Sequence, residues 1–377
     1  MKVQRFASVE DVLTRLDPSY PIFCIFPDVL KDRARLFIDN FPGTVMYAVK
    51  CNPHEIVLKA FHEAGVRDFD TASLTEIAKV SELFDDAHCY FNHPVKGRGV
   101  LDSANRVYGI KDYVVDHISE LDKLNAVVGT DIIVEVRIAT PKGSAIYDLS
   151  SKFGANEADA VMLLREANRR GCRTAIAFHV GSQCIDPDAY RVAMELAAKV
   201  AARAQVPLEY LDIGGGFPGH YKKDIPPLSA YFDVIAKTND RLALGIRLFC
   251  EPGRALVADG CSILTQVHLR KEKDLYLNDG VYGCLSEVRD GYLDPPVRAI
   301  GRKRTLEGEL VPFHIFGPTC DSIDHLQIPF HLPSDIDETD WVEVGLVGAY
   351  SLALQSGFNG FYTDAVVKVD GVNQVSA

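Results

Sequence analysis

Residues 44–53 read TVMYAVKCNP. The run from Thr44 to Val49 is apolar and rich in β-branched and aromatic residues, the pattern of a strand buried on both faces, and Asn52-Pro53 is a turn signal. The stretch predicts a buried strand that ends on an amine, Lys50. An ammonium at the end of such a strand calls for a chemical reason.

Outward from this strand the same texture repeats. Further strand candidates stand at 67–71 (RDFDT), 88–92 (HCYFN), 113–116 (YVVD), 131–139 (DIIVEVRIA), 174–181 (TAIAFHVG), 209–213 (EYLDI) and 247–251 (RLFCE). Between them, 54–64, 73–83 and 187–204 carry apolar residues three and four positions apart, as amphipathic helices require. This alternation predicts the α/β class and a (β/α)8 TIM-like barrel in preference to a doubly wound sheet, which usually has fewer strands. After residue 255 the helical periodicity fades. Segments 262–269, 274–278, 311–316, 341–347 and 363–369 are β-rich with Pro, Gly and Asp between them, predicting a C-terminal β-sandwich or β-barrel domain. The expected division is a barrel domain over 26–258 and a β domain made of 1–25 and 259–377.

Composition narrows the function. At 377 residues the chain is longer than a single core usually grows, and 47% apolar with 24% charged residues is ordinary for a folded protein. The net charge of −12 is spread without a long basic run, which argues against nucleic-acid or anionic-membrane binding and mildly favours a cationic small molecule. Nine cysteines are scattered without a C-x-x-C pair or a His/Cys cluster, so neither a metal site nor a disulfide framework is expected. Reduced thiols, no apolar segment of signal-peptide length in MKVQRFASVEDVL and no membrane-length apolar run together predict a cytoplasmic protein.

A barrel of this type works at the C-terminal ends of its strands. Those positions are polar here: Lys50, Asp70, Asn92 and His93, Asp116, Arg137, His179, the glycines after Asp212, and Glu251. A partly desolvated lysine has a lowered pKa and can form a Schiff base with a carbonyl compound. LDIGGGFPG (211–219) leaves backbone N–H groups bare after a late strand, which suits a phosphate, and EPGRA (251–255) offers Gly253 and Arg254 to complete the cup. No P-loop or dinucleotide fingerprint is present. A phosphorylated carbonyl cofactor that takes a lysine is pyridoxal 5′-phosphate, whose ring nitrogen wants an acidic partner; Glu251 can serve, and His179 in FHVGSQ can stack on the ring.

YAVKCN, FDTAS, FHVGSQ, LDIGGGFPG, EPGRA, NDGVYG, FGPTCDSID and GAYSLALQSGFNGF occur in this order from about residue 22 to 362. Together they resemble the barrel-type, alanine-racemase-like, pyridoxal-phosphate decarboxylases, in their ornithine/lysine branch. The resemblance implies that Lys50 is the covalent anchor of the cofactor, that Asp70 and Arg137 lie beside it, and that His179 and Glu251 have the roles above. Ser182, Gly214, Gly215, Gly216, Gly253, Arg254 and Tyr350 would hold the phosphate. It also implies a head-to-tail homodimer with shared active sites, the β domain of the neighbour lending Cys320 as the acid that protonates Cα and Asp321 as the group that takes the distal amine.

Two features bear on the substrate. Where the diaminopimelate branch usually reads C-E-S, this chain has Cys320-Asp321-Ser322, which favours a diamine-forming reaction, L-ornithine to putrescine in polyamine synthesis. Where the ornithine enzymes usually carry Tyr-Asp after NDGVYG, this chain has Arg289-Asp290, with Tyr282 inside NDGVYG itself. If Asp290 takes the expected place, ornithine stands; if Arg289 points inward, a distal carboxylate or another acceptor becomes the substrate group. Lysine, a diaminopimelate-type acid, a racemase and an inactive regulatory homologue are the other readings.

Overall fold

The structure is a computed structural model that describes residues 3–141, 145–147, 151–221, 225–372 and 375. Eight parallel strands close into a barrel in chain order: β1 (Thr44–Ala48), β2 (Asp68–Thr71), β3 (His88–Phe91), β4 (Asp112–Val115), β5 (Ile133–Arg137), β6 (Arg173–Ala177), β7 (Tyr210–Asp212) and β8 (Arg247–Cys250), with β8 paired to β1. The helices that follow are α1 (Glu55–Ala64), α2 (Leu74–Leu83), α3 (Arg98–Arg106), α4 (Ile118–Val128), α5 (Glu157–Arg169), α6 (Asp188–Ala204), α7 (Leu228–Leu242) and the single turn α8 (Arg254–Val257). Caps fix where they start. At α2, Ser73 Oγ accepts from Glu76 N, while the Glu76 carboxylate accepts from Ala72 N at 2.7 Å.

Strand parity explains the barrel. On β5, Val134 and Val136 join the apolar layer beneath the helices, whereas Ile133 faces inward with Met46, Ala175, Tyr210 and Phe249. Glu135 on the same strand is fully buried, its carboxylate 3.4 Å from the Tyr210 hydroxyl, which also donates to Asp112 at 3.0 Å.

The strands are shorter than the sequence suggests. β1 ends at Ala48, whose N–H donates to Pro252 O (3.3 Å), and the chain then closes a 3₁₀ turn over Val49–Cys51. Lys50 therefore projects from a tight turn rather than from the strand itself, and His179 likewise lies two residues beyond the end of β6.

Nine of the remaining strands form one branched sheet. Its longest member, Cys261–Lys271, pairs antiparallel with Ile22–Ile25 and Trp341–Val344 in its first half and with Asp274–Leu277 in its second, changing register between Val267 and Leu269. Arg5–Phe6 and Val366–Val369 extend the edge beside Ile22–Ile25, in parallel. Four short strand segments escape a sequence reading. Val297–Ile300 and Phe330–Pro333 are four residues each beside prolines, and Ala145–Tyr147 pairs antiparallel with Ser182–Cys184 in a separate two-stranded ribbon. Barrel and sheet share one continuous apolar core, from Phe23 through Tyr47 to Val342.

Candidate active site

At the mouth of β1 and β2, Lys50 Nζ donates to Asp70 Oδ2 at 2.7 Å; the Asp70 side chain has no exposed surface, whereas 40% of that of Lys50 is open. Burial alone would push the amine down, as expected of a desolvated lysine. The charges of Asp70 and then Glu251 outweigh it, so the ammonium is held above its ordinary range. That corrects the expectation of a lowered lysine: the acids around it are too close. Glu251 lies opposite, its Oε1 accepting from Asn92 Nδ2 at 2.5 Å and its N–H donating to Gly214 O at 2.8 Å. Burial first, then Asp70, push the Glu251 carboxyl up.

His179 presents a neutral ring. Its Nδ1 accepts from Gly181 N at 3.0 Å, and burial, then Arg137 and Lys50, push its pKa far down. Arg137 projects from the end of β5, with its guanidinium 5.8 Å from the Phe153 ring centroid. His93 and Asp116, also at strand ends, turn to loop backbone instead: His93 Nδ1 accepts from Val95 N and Asp116 Oδ2 from Gly154 N.

The late loops form a cup. Gly214 and Gly216 have φ of +68° and +105°, and a Cβ on Gly215 would lie 2.5 Å from the Glu251 carbonyl oxygen, so only glycine permits this approach. Gly214 N–H is taken by Asp212 Oδ1; those of Gly215 and Gly216 have no partner among the described residues. Gly253 packs on Cys51, and Tyr350, at φ +52°, donates its N–H to Cys51 O at 2.9 Å. Arg254 lies beneath the cup, its Nη2 3.5 Å from Ser182 Oγ and its Nε buried without a partner among the described residues.

Cys320, Asp321 and Tyr282 stand on loops of the sheet. Cys320 is exposed, and its N–H donates to Asn359 Oδ1. Tyr282 hydroxyl donates to Asp321 Oδ2 at 2.5 Å and Ile323 N to Oδ1 at 3.0 Å. First that hydroxyl, then the Ile323 amide, and last the Arg289 charge hold the Asp321 carboxyl below its ordinary range. Arg289 and Asp290 pair with each other at 3.6 Å, both well exposed, and neither bonds Asp321. No hydrogen bond joins the Cys320–Asp321 pair to a barrel residue among the described residues.

Sequence reasoning missed Glu135 and Glu287. Glu135 had a signal: it shares its strand parity with Ile133 and Arg137, so it had to point inward. Glu287 had none, because it meets Arg254 from a 3₁₀ turn 33 residues further on.

These residues fit pyridoxal phosphate. Asp70, Glu135, Asp212 and Glu251 are acids packed in or just under the mouth, with Lys50 and Arg137 as the cations there, so a protonated ring nitrogen would relieve an excess of negative charge. The bare glycine N–H groups and the unpartnered Arg254 Nε offer donors where a phosphate would sit. A closed barrel with such a mouth, extended by a β-rich sheet, defines a barrel-type pyridoxal-phosphate enzyme. More narrowly, the chain belongs to the pyridoxal-dependent decarboxylases, in the ornithine/lysine branch: residues 28–258 match the "pyridoxal-dependent decarboxylase, pyridoxal binding domain" family. The lysine/ornithine decarboxylase of Selenomonas ruminantium is 35% identical over 330 residues, covering 84% of this chain and 81% of that protein. The arginine decarboxylase of Paramecium bursaria Chlorella virus, solved bound to agmatine, superposes with a TM-score of 0.83 at 27% identity, covering 96% and 99% of the two chains. The lysine/ornithine decarboxylase of Vibrio vulnificus, solved with cadaverine, gives 0.83 at 27% identity over 98% and 99%. The protein is thus a pyridoxal-phosphate-dependent amino-acid decarboxylase. Among the described residues no helix is long and apolar enough to cross a membrane.

Proposed function

We propose that the chain decarboxylates L-ornithine to putrescine, as a homodimer in the cytoplasm. The observation that carries this reading is the adjacency of Cys320 and Asp321 on one exposed loop, with the Asp321 carboxylate held ionised by Tyr282. A thiol and a carboxylate side by side suit a proton donor for Cα and an anchor for a distal ammonium. The lysine/ornithine relatives support a basic substrate. The absence, among the described residues, of a hydrogen bond from the Cys320–Asp321 pair to its own barrel supports delivery to the mouth of a second copy. Nine free cysteines support a reducing compartment. The division at 26–258 is likewise our reading, supported by the family match over 28–258.

Bound pyridoxal phosphate supplies an electron sink for the pair left on Cα when the carboxylate departs as carbon dioxide. Lys50 would hold the cofactor's carbonyl carbon and give way to the substrate amine, with Asp70 keeping its nitrogen in place. Glu251, oriented by Asn92, would hold a proton at the ring nitrogen, and neutral His179 would cover a ring face without adding charge. Gly214–Gly216, Gly253, Ser182, Arg254 and Tyr350 would fix the phosphate end. Cys320 of the second copy would give its thiol proton to Cα, and the thiolate would recover one from water.

A second reading rests on Arg289, close enough to Asp321 to help hold it ionised. Turned inward, it would accept a distal carboxylate. Carbon dioxide release compared across ornithine, lysine, arginine and diaminopimelate decides between them: ornithine is expected fastest, and equal or absent turnover of ornithine and lysine would overturn that preference. Lys50→Ala should in parallel lose the visible absorbance of the lysine-bound cofactor; an unchanged spectrum would remove Lys50 from its role.

A further inference from the structure

The arginine under the glycine cup already has a full partner. Arg254 Nη1 and Nη2 donate to Glu287 Oε2 and Oε1 at 2.6 and 3.0 Å, a two-bond fork in which 3% of the arginine side chain and 19% of the glutamate side chain are exposed. The Tyr221 hydroxyl accepts from Nη1 at 3.2 Å. The rings of Tyr147, Tyr221 and Tyr350 surround the guanidinium, with centroids 5.9, 5.7 and 5.2 Å away. In this enclosure an arginine stripped of its counter-ion would be a costly uncompensated charge. A phosphate offers the same paired acceptor oxygens as a carboxylate. Arg254 thus faces two anions that share its one positive charge.

On the reading that Arg254 grips the cofactor's phosphate, we infer that Glu287 is the built-in counter-ion with which that phosphate competes. Glu287 holds the Nη1–Nη2 fork end-on and leaves Nε, buried and unpartnered among the described residues, as the guanidinium donor still free for a ligand. The arginine is therefore paired and aimed before the cofactor arrives. Because a carboxylate stands beside a phosphate dianion, the grip is weaker than Arg254 alone would give, and the cofactor exchanges more readily. Glu287 acts through Arg254 and is a positioning residue.

The test compares holoenzyme carrying Glu287→Gln or Arg254→Met with wild type, by following loss and re-titration of the visible absorbance with two ligands, pyridoxal phosphate and unphosphorylated pyridoxal. Removing one unit of charge beside a dianion should let Glu287→Gln bind pyridoxal phosphate at least about tenfold more tightly, with pyridoxal unchanged. Arg254→Met should weaken pyridoxal phosphate and spare pyridoxal. If Arg254→Met behaves so while Glu287→Gln leaves pyridoxal phosphate unchanged or weaker, the competition is refuted and the phosphate role of Arg254 stands. If Arg254→Met binds pyridoxal phosphate as wild type does, the phosphate reading itself fails. Should Glu287→Gln not fold, Glu287→Asp withdraws the charge by one methylene and should tighten pyridoxal phosphate roughly two- to fivefold; no tightening refutes the competition equally.

Discussion

On the proposed reading, the barrel mouth and the loop around Cys320 carry neighbouring parts of one chemistry in opposite surroundings. In the mouth each group is braced by another: Lys50 by Asp70, Glu251 by Asn92, Gly214 by Asp212. On the loop, Cys320 is the one exposed cysteine among the described residues, and Asp321 meets solvent beside Tyr282. A cofactor site must exist before its ligand arrives and can be finished inside one chain. On that reading, groups that act on the far side of the substrate are of use only when something brings them to a mouth, and a polar, exposed tip suits delivery to a second copy.

The sharpest way to break this contrast is Cys320→Ala. As the Cα acid, Cys320 should be worth about 10²–10⁴ in decarboxylation rate, while an exposed side chain should change stability by no more than about 0.5 kcal/mol. Steady-state rates and urea denaturation on the same preparation read both numbers. Mixing Cys320→Ala with Lys50→Ala and allowing subunits to exchange extends the test. Mixed dimers would contain one site with both residues intact, so roughly a quarter of wild-type activity should return. No recovery after proven exchange would mean that each chain uses its own Cys320.

The loop is exposed only at its tip, and a second prediction concerns its root. Asp324, buried, accepts from Val281 N, Thr319 N and the Thr319 hydroxyl at 2.7–2.9 Å, and Asp279 accepts from Gly280 N and Cys284 N. Burial pushes the Asp279 carboxyl up to about 6 against an ordinary 3.8, with Asp324 adding to the rise. The folded state thus holds this proton more tightly than the unfolded chain does. Its contribution to stability is complete below about pH 3.8 and is lost as pH rises through about 6. Between pH 4 and 7 the stability difference between wild type and Asp279→Asn should move by up to about 3 kcal/mol in favour of the variant. A difference that stays flat over that range would mean that the root of the loop is no more buried than its tip.

The same contrast governs what could be read from the residues alone. The barrel was legible because each strand is a short apolar run between helical periods, and its mouth because Lys50, His179, the triple glycine and Glu251 each stand at or just past a strand end. Lys50 could be placed there, but not its charge: a desolvated amine and one held ionised by Asp70 and Glu251 have the same local sequence. Glu135 was half legible, since parity turns it inward but cannot say that Tyr210, from β7, will meet it. Glu287 was illegible because its partner is set by how the sheet's loops fold over α8. The environment of Cys320 was illegible for the same reason, although its motif was plain.

The smallest effect is expected at the bond that ties the loop's two halves together. Tyr282→Phe removes the hydroxyl whose hydrogen bond contributes most to holding Asp321 ionised, while the Ile323 N–H remains. Near neutral pH the carboxylate stays charged without it, so the loss is one of aim. The KM for a diamino acid should rise roughly two- to fivefold with kcat little changed. As pH falls toward the ordinary carboxylate range, the variant should protonate Asp321 before wild type does, and the ratio of the two KM values should widen. A ratio that is constant with pH would mean that Tyr282 shapes the loop but does not hold the charge of Asp321, and the ionised tip would then depend on the Ile323 amide and Arg289.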